Sequence, residues 1–289
     1  MDIAKKYCKY INIFENATNL GQPKNTNLAV DLANGEYIVI LHSDDILLPN
    51  FCSTLVPLLT SNEKLVLAVG ERQETDESGA VKEITPFYNI DCIIPGEKQA
   101  KVFMMMSFLP CQVLFKKSAF IESGLINERH IVNLDGLLWF QMTLLGDVIY
   151  TKQNVSIYRI HHESTTSAYN KTINHMMEYY STLSEMFKLA KGKPYLEHYF
   201  ELAEKRVAIL TLRYCHDVIK NKNYKLARQY LRLAQVFDPE IVNDTIYQLL
   251  AQCLESTEKE PIDIYWSLIS DQQMKRPNSY DPPEGFIPL

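Results

Sequence analysis

The stretch "NLAVDLANGEYIVILHSDDILLPN", residues 27–50, decides the fold. Its first part has helical spacing and runs into Asn34-Gly35, a helix stop signal. "YIVIL", residues 37–41, follows and is apolar at every position, as in a strand buried on both faces. The strand ends on Ser43-Asp44-Asp45, and a helix is predicted over residues 49–59 with Pro49 near its start. Two adjacent carboxylates repel each other, so their place at a strand exit needs a reason. In open α/β sheets ligands bind at the carboxyl ends of strands, and carboxylate oxygens suit hard divalent cations such as Mg²⁺ or Mn²⁺. The pair also suits the bland role of capping the next helix, and the two readings stand side by side.

Outward from this stretch, apolar runs alternate with helical patterns. Strands are expected at residues 11–14, 65–70, 111–115 and 155–160, and helices at 24–33, 117–124 and 135–145. "DESG", residues 76–79, reads as a turn. This alternation argues for a mainly parallel α/β sheet with helices on both faces. Beyond about residue 167 the strand signals stop. Helices are expected at 173–189, 195–219, 224–236 and 239–254. In the third of these, Tyr224, Ala227, Tyr230, Leu231 and Ala234 form an apolar stripe, as in half of a tetratricopeptide-type hairpin. The Pro-rich end, residues 275–289, is expected to lie extended on the surface or loose.

Composition narrows the function. The 289 residues carry 29 Lys and Arg against 35 Asp and Glu, a net charge of −6 that argues against a nucleic-acid partner. No run approaches the roughly 20 apolar residues that span a bilayer. Six scattered cysteines form no C-x-x-C pair, so neither a zinc site nor a disulfide framework is expected. The expected location is cytoplasmic. Most of the 17 tyrosines are expected to pack between helices with their hydroxyls in water.

Two further features concern chemistry. Asp135 leads an apolar helix that includes Trp139, as a helix cap or as a functional acid. "YRIHHESTTS" places Arg159, His161 and Ser164 at the exit of a strand, with the first two on one face and an anion plausible between them.

In order and spacing, these segments resemble the family 2 glycosyltransferases of the GT-A fold. The resemblance covers residues 1–166 or so and rests on an ordered set. That set is "NLGQPKNTNLAVDLANGEYIVILHSDD", the "LLPNF" helix, the turn after a strand, the acid-led helix and R-x-H-x-x-S. It implies a Rossmann-like nucleotide-sugar transferase sheet (residues 1–167); the pattern beyond it gives an α-helical region (168–260) and a helix with a Pro-rich tail (261–289). It also implies a nucleotide-sugar donor, most simply a UDP-sugar, a carbohydrate or glycoconjugate acceptor and Mn²⁺ or Mg²⁺. By the same resemblance Asp44 and Asp45 match the metal-binding acids and His161 a histidine beside the metal and diphosphate. Asn19, Gly21, Asn27, His42, Asp44 and Arg159 match donor-binding positions, and Asp135 matches the base that deprotonates the acceptor. Transfer would invert the anomeric centre and serve polysaccharide or glycoconjugate synthesis. The helical region would shape the acceptor pocket or dock to a protein or, peripherally, to the cytoplasmic side of a membrane.

Two departures accompany it. His42 stands where the family has the first acid of its D-x-D motif. The family also opens with a strand–helix–strand unit that holds the nucleotide base, whereas "MDIAKKYCKY" resembles the middle of the helix after that unit. The sheet is therefore expected to be truncated at its N-terminus. The start then lies upstream, residues 11–14 pair directly with 37–41, or another chain fills the gap. A catalytically inactive remnant acting as a binding or scaffold protein is the alternative function.

Overall fold

The computed structural model describes residues 2–161, 172–256, 260–269 and 279–289. In chain order its elements are α1 (Asp2–Lys5), α2 (Gln22–Leu32), β1 (Tyr37–Ile38), β2 (Ile46–Leu47), α3 (Phe51–Thr60), β3 (Leu65–Thr75), β4 (Val81–Lys82) and β5 (Cys92–Ile94). There follow α4 (Gly96–Phe103), β6 (Val113–Lys116), α5 (Lys117–Glu122), α6 (Leu134–Thr143) and β7 (Asp147–Arg159). The helical region holds α7 (Asn174–Ala190), α8 (Pro194–Glu197), α9 (Phe200–Lys220), α10 (Tyr224–Phe237), α11 (Thr245–Glu255) and α12 (Pro261–Leu268), and β8 (Ile287–Pro288) ends the chain. The expected class holds: a mixed α/β sheet followed by an α-helical region.

The sheet runs β1-β6-β3-β7-β5-β8, with β2 also on β7 and β4 also on β3. Its centre is the parallel pair β3 and β7. The other named strand pairings are antiparallel, so the expectation of a mainly parallel sheet is corrected. The reason lies in the connections. β5, β6 and β8 are short strands that pair antiparallel with their neighbours, and a parallel neighbour needs a longer crossover.

The pairing of β3 with β7 is broken between Val69↔Tyr150 and Glu71↔Asn154, where β7 holds extra residues. Such a bulge re-aims a strand. Gly70 sits at this point, and a Cβ there would stand 2.6 Å from a Val155 methyl. Beyond the bulge β7 pairs with both β3 and β2, reaching Arg159.

Two cores flank the sheet. On one face α3 buries Phe51, Leu55 and Leu59 against Leu65, Ala68, Ile149 and Val155. On the other, Phe115, Phe120, Trp139 and Tyr150 begin a cluster that continues without a break into Val207, Leu212, Tyr230 and Leu250 of the helical region. In α10 the buried residues are Leu226, Ala227, Tyr230, Leu233, Ala234 and Phe237, a fuller stripe than the one read from sequence.

Several expectations are corrected. Residues 11–14 form no strand; Ile11 and Phe14 are exposed and pair with nothing among the described residues. Of residues 37–41 only Tyr37 and Ile38 enter the sheet, against β6, so the outer side of β1 has no partner among the described residues. The 195–219 helix is two, α8 and α9, and the 239–254 helix is a short 3₁₀ turn followed by α11. Of the tail, residues 279–289 are described, and they are not loose: β8 pairs with β5 at the sheet edge, where a proline is tolerated. Tyrosine hydroxyls are not all wet: Tyr88, Tyr150, Tyr230 and Tyr265 are buried and bond to protein atoms. Ser164 and the expected boundary at residue 167 lie outside the described residues.

Candidate active site

The Asp44-Asp45 turn closes when the Asp45 N–H donates to the His42 carbonyl at 3.3 Å. The turn leads straight into β2, which pairs with β7 at Ile157 and Ser156. That pairing sets Arg159 and His161 beside the acids. The Arg159 N–H donates to an Asp45 carboxylate oxygen at 3.2 Å, and its Nε donates to the Asp44 carbonyl at 3.1 Å. His161 Nε2 lies 2.9 Å from the Asp44 carboxylate. The helix-cap alternative does not hold, because α3 is preceded by Asn50, whose side chain instead donates to the Asn154 carbonyl at 3.0 Å.

His42, Asp44 and Asp45 each offer a donor atom, and these atoms lie within 4.8 Å of one another. His42 therefore stands with the acids. Two carboxylates with an imidazole are a hard, oxygen-rich set that fits Mg²⁺ or Mn²⁺. Asp45 is buried, and that burial, with Asp44 alongside, raises its carboxyl above the ordinary range despite the Arg159 bond. For Asp44, partial burial works the other way but is outweighed by the His161 bond, and the carboxyl is lowered. Environment thus separates two adjacent acids that would otherwise compete for charge.

Beneath the acids lies a polar layer that sequence reading missed. Arg72 donates to Gln112 at 3.0 Å and to Glu74 at 2.9 Å, and Gln112 donates to the Gly70 carbonyl at the bulge at 3.0 Å. The only hint was the sequence "GERQE", an abrupt polar turn in an apolar strand. Cys111 sits nearby, but burial, with Asp45 adding to it, pushes its thiol up to about 12, so it is no nucleophile.

Asp135 occupies the second position of α6; the cap residue is Asn133. A Ser107 hydroxyl donates to the Asp135 carboxylate at 3.0 Å. Burial raises its carboxyl, against the lowering from Ser107, the Gly136 N–H and, through space, His42. The His42 influence puts Asp135 within electrostatic reach of the acidic turn, with no direct contact between them among the described bonds. No sequence signal singled out Ser107.

The donor-binding positions divide. The Asn19 side chain accepts from the Gly21 N–H at 2.9 Å and helps form an open hollow with Asn16, Thr18, Gln22 and Asn25. Gln22, unforeseen, reaches His42 Nε2 at 3.3 Å and ties that hollow to the acids. Asn27 has another task. Its amide donates to the Ile126 carbonyl at 2.9 Å and accepts from the Ile126 N–H at 3.0 Å, so both ends are occupied in pinning α2. A separate hollow lined by Glu97, Thr143, Lys193 and Tyr195 shares no residue with the cluster.

Residues 1–124 match the model of the family described as glycosyl transferase family 2. That bears out the recognition for the motifs that lie within residues 1–124. The family as a whole takes nucleotide-sugar donors and carbohydrate acceptors. No curated protein sequence is similar enough to count as a relative. Among solved structures, S. aureus TarS aligns at a TM-score of 0.46 with 12% identity, over 87% of this chain and 46% of that one. This chain thus spans about half the length of that protein.

Proposed function

We propose, on the premise that residues 1–124 form a family 2 glycosyltransferase domain, that this protein moves a sugar from a nucleotide-sugar to an acceptor hydroxyl with inversion and with a divalent cation. The observation that supports this best is the convergence of His42, Asp44, Asp45, His161 and Asp135 from three separate segments. His42, Asp44 and Asp45 would hold Mn²⁺ or Mg²⁺, with His161 as a further neighbour, and a bound cation offsets the charge of the departing diphosphate.

Asp135 takes the proton of the acceptor hydroxyl. The acceptor oxygen forms a bond to the anomeric carbon, and the bond to the diphosphate breaks, its electron pair leaving with the phosphate. A carboxyl raised by burial is a stronger base once ionised, which suits this role. The hollow around Asn19 and Gly21 takes the nucleotide, a UDP-sugar in the simplest case. The sheet portion (to residue 167) carries the donor, and the helical region (168–260) frames the acceptor, a carbohydrate or glycoconjugate. No described helix is long and apolar enough to cross a membrane. Six free thiols suit a cytoplasmic setting.

The test is transfer by Asp135→Asn with a panel of UDP- and GDP-sugars and soluble glycan acceptors. Transfer should disappear while nucleotide binding persists; normal transfer would remove Asp135 from the role of base. A second reading, a transferase-like scaffold without activity, draws support from one observation. The strand expected at residues 11–14 pairs with nothing among the described residues, leaving the nucleotide hollow on a thinly packed segment. Absence of any nucleotide binding would favour it.

A further inference from the structure

The segment that leads into α6 is held from outside the sheet. Ile131 and Val132 each donate a backbone N–H to the Glu178 carboxylate, one to each oxygen, both at 2.9 Å. Glu178 belongs to α7, in the helical region. One turn further along α7, the buried Thr182 hydroxyl accepts from the Asn133 side chain at 3.0 Å. Asn133 has the left-handed backbone φ 56°, ψ 30°. Its side chain folds over the first turn of α6, where a Cβ on Gly136 would stand 2.3 Å from the Asn133 oxygen. Asp135 lies between Asn133 and Gly136. A strained conformation of this kind persists only where its surroundings over-determine it. Here α7 supplies three such constraints within three consecutive residues.

The three bonds have a common geometric effect. A bidentate carboxylate on two successive N–H groups fixes both the position and the orientation of that backbone. The Asn133 bond then fixes the rotation at which the helix starts, and hence where the Asp135 side chain points. Ser107 holds only one Asp135 oxygen and lies in the irregular stretch between α4 and β6, so it orients the carboxylate without fixing the helix. Catalytic groups lose efficiency when displaced by an ångström or less.

We infer that Glu178 is a positioning residue for Asp135, so that the helical region, through α7, sets the place of the carboxylate that faces the acceptor. The acceptor role of that carboxylate rests on the function proposed above; the mechanical link from Glu178 does not. Glu178 touches no reacting atom.

The experiment uses the full chain labelled with ¹³C at the aspartate carboxyls, with Asp135→Asn identifying the Asp135 resonance. In Glu178→Ala that resonance should move from its wild-type position, while those of Asp44 and Asp45 stay. Amide exchange at Ile131 and Val132 should quicken by about tenfold or more. Glu178→Gln keeps one acceptor oxygen and should shift the resonance part of the way. Glu185→Ala, on the same helix but facing Lys188, should change nothing. If Glu178→Ala fails to fold, Thr182→Val tests the same link through Asn133. An Asp135 resonance unmoved in the folded Glu178 and Thr182 variants overturns the inference. Retained sugar transfer by Asp135→Asn is a separate result: it removes the base assignment and leaves the positioning link to be judged on the spectra alone.

Discussion

Glu71 is a carboxylate placed where water does not reach, 2% exposed in the middle of the sheet. It accepts from the Phe87 N–H at 2.6 Å and from the Tyr150 hydroxyl. Burial outweighs these bonds and raises its carboxyl above the ordinary glutamate range. A folded value above the unfolded one means that the folded protein binds the proton more tightly, so this group weakens the fold as pH rises through that interval. The loss starts near the unfolded value, about 4.3, at up to about 1.4 kcal/mol per pH unit, and is complete above the folded value. Glu71→Gln, which keeps the accepting oxygen, lacks this dependence. Thermal melts from pH 4 to pH 8 should show wild type losing ground to the variant as pH rises from the unfolded value; parallel curves over the whole range would contradict the buried, raised carboxyl. At the same scale, Asp135→Asn should lower the transfer rate by about 10²–10⁴-fold. A steady-state assay reads this directly, with nucleotide affinity as the control.

The site residues were unevenly legible from sequence. Asp44, Asp45, Arg159, His161 and Asp135 could be read as candidates because they sit beside strand ends and at a helix start, where local pattern carries a signal. Asn27 looked like its neighbours Asn19 and Gly21 but is bonded to Ile126, about 100 positions away in sequence, at both ends of its amide. Gln22, Ser107, Arg72 and Glu178 carry no local signal. Their roles come from contacts that only the folded chain makes.

Among the elements, α4 shows how a close approach overrides propensity. Gly96 begins that helix, and a Cβ there would stand 2.1 Å from the Gly146 carbonyl oxygen and 2.2 Å from that of Thr143. Its N–H donates to the Asp147 carboxylate at 2.9 Å, tying α4 to the start of β7. Alanine normally favours a helix over glycine by about 1 kcal/mol. Here the sign should reverse, and Gly96→Ala should destabilise by about 2–4 kcal/mol through overpacking. Denaturant midpoints check this, and an unchanged or raised midpoint would show that the corner gives way.

Long elements with strong periodicity were the most legible. The α10 stripe and the β3 run are bounded by their own sequences. Strand pairing was less so, because short segments such as β5, β6 and β8 gain their state from the neighbour they meet. Residues 11–14 had strand composition but no partner, and composition alone did not order them. β7 runs beyond the expected residues 155–160 because its first half, "DVIYTK", is broken in pattern by the bulge.

For the whole molecule, ligand linkage is the broadest check on function. A nucleotide and cation bound only to the folded chain should stabilise it by about 2.7 kcal/mol at a hundredfold excess over Kd. UDP with Mn²⁺ should raise the melting temperature of wild type, and Asp44→Ala should lose the Mn²⁺-dependent part. No shift with any nucleoside diphosphate would move the balance to the scaffold reading. The continuous core from Trp139 to Leu250 also means that the sheet and the helical region share their apolar interior. Sequence reading divided them by texture, which marks where strands end but says nothing about where side chains pack.

The central pairing of β3 with β7 has a kinetic side. About 80 residues of chain separate Leu65 from its partner Asp147, so their meeting closes a long loop before any bond rewards it. By contrast, α9 and α10 are joined by a turn of three residues and collapse locally. Contact order therefore assigns speed to the second half of the chain and delay to the first. The helices should thus gain amide protection first, and the segment bearing the acidic turn last, when β7 closes on β3 and brings Arg159 and His161 to Asp44 and Asp45; pulse-labelled exchange showing β3 protected before α9 would reverse that order.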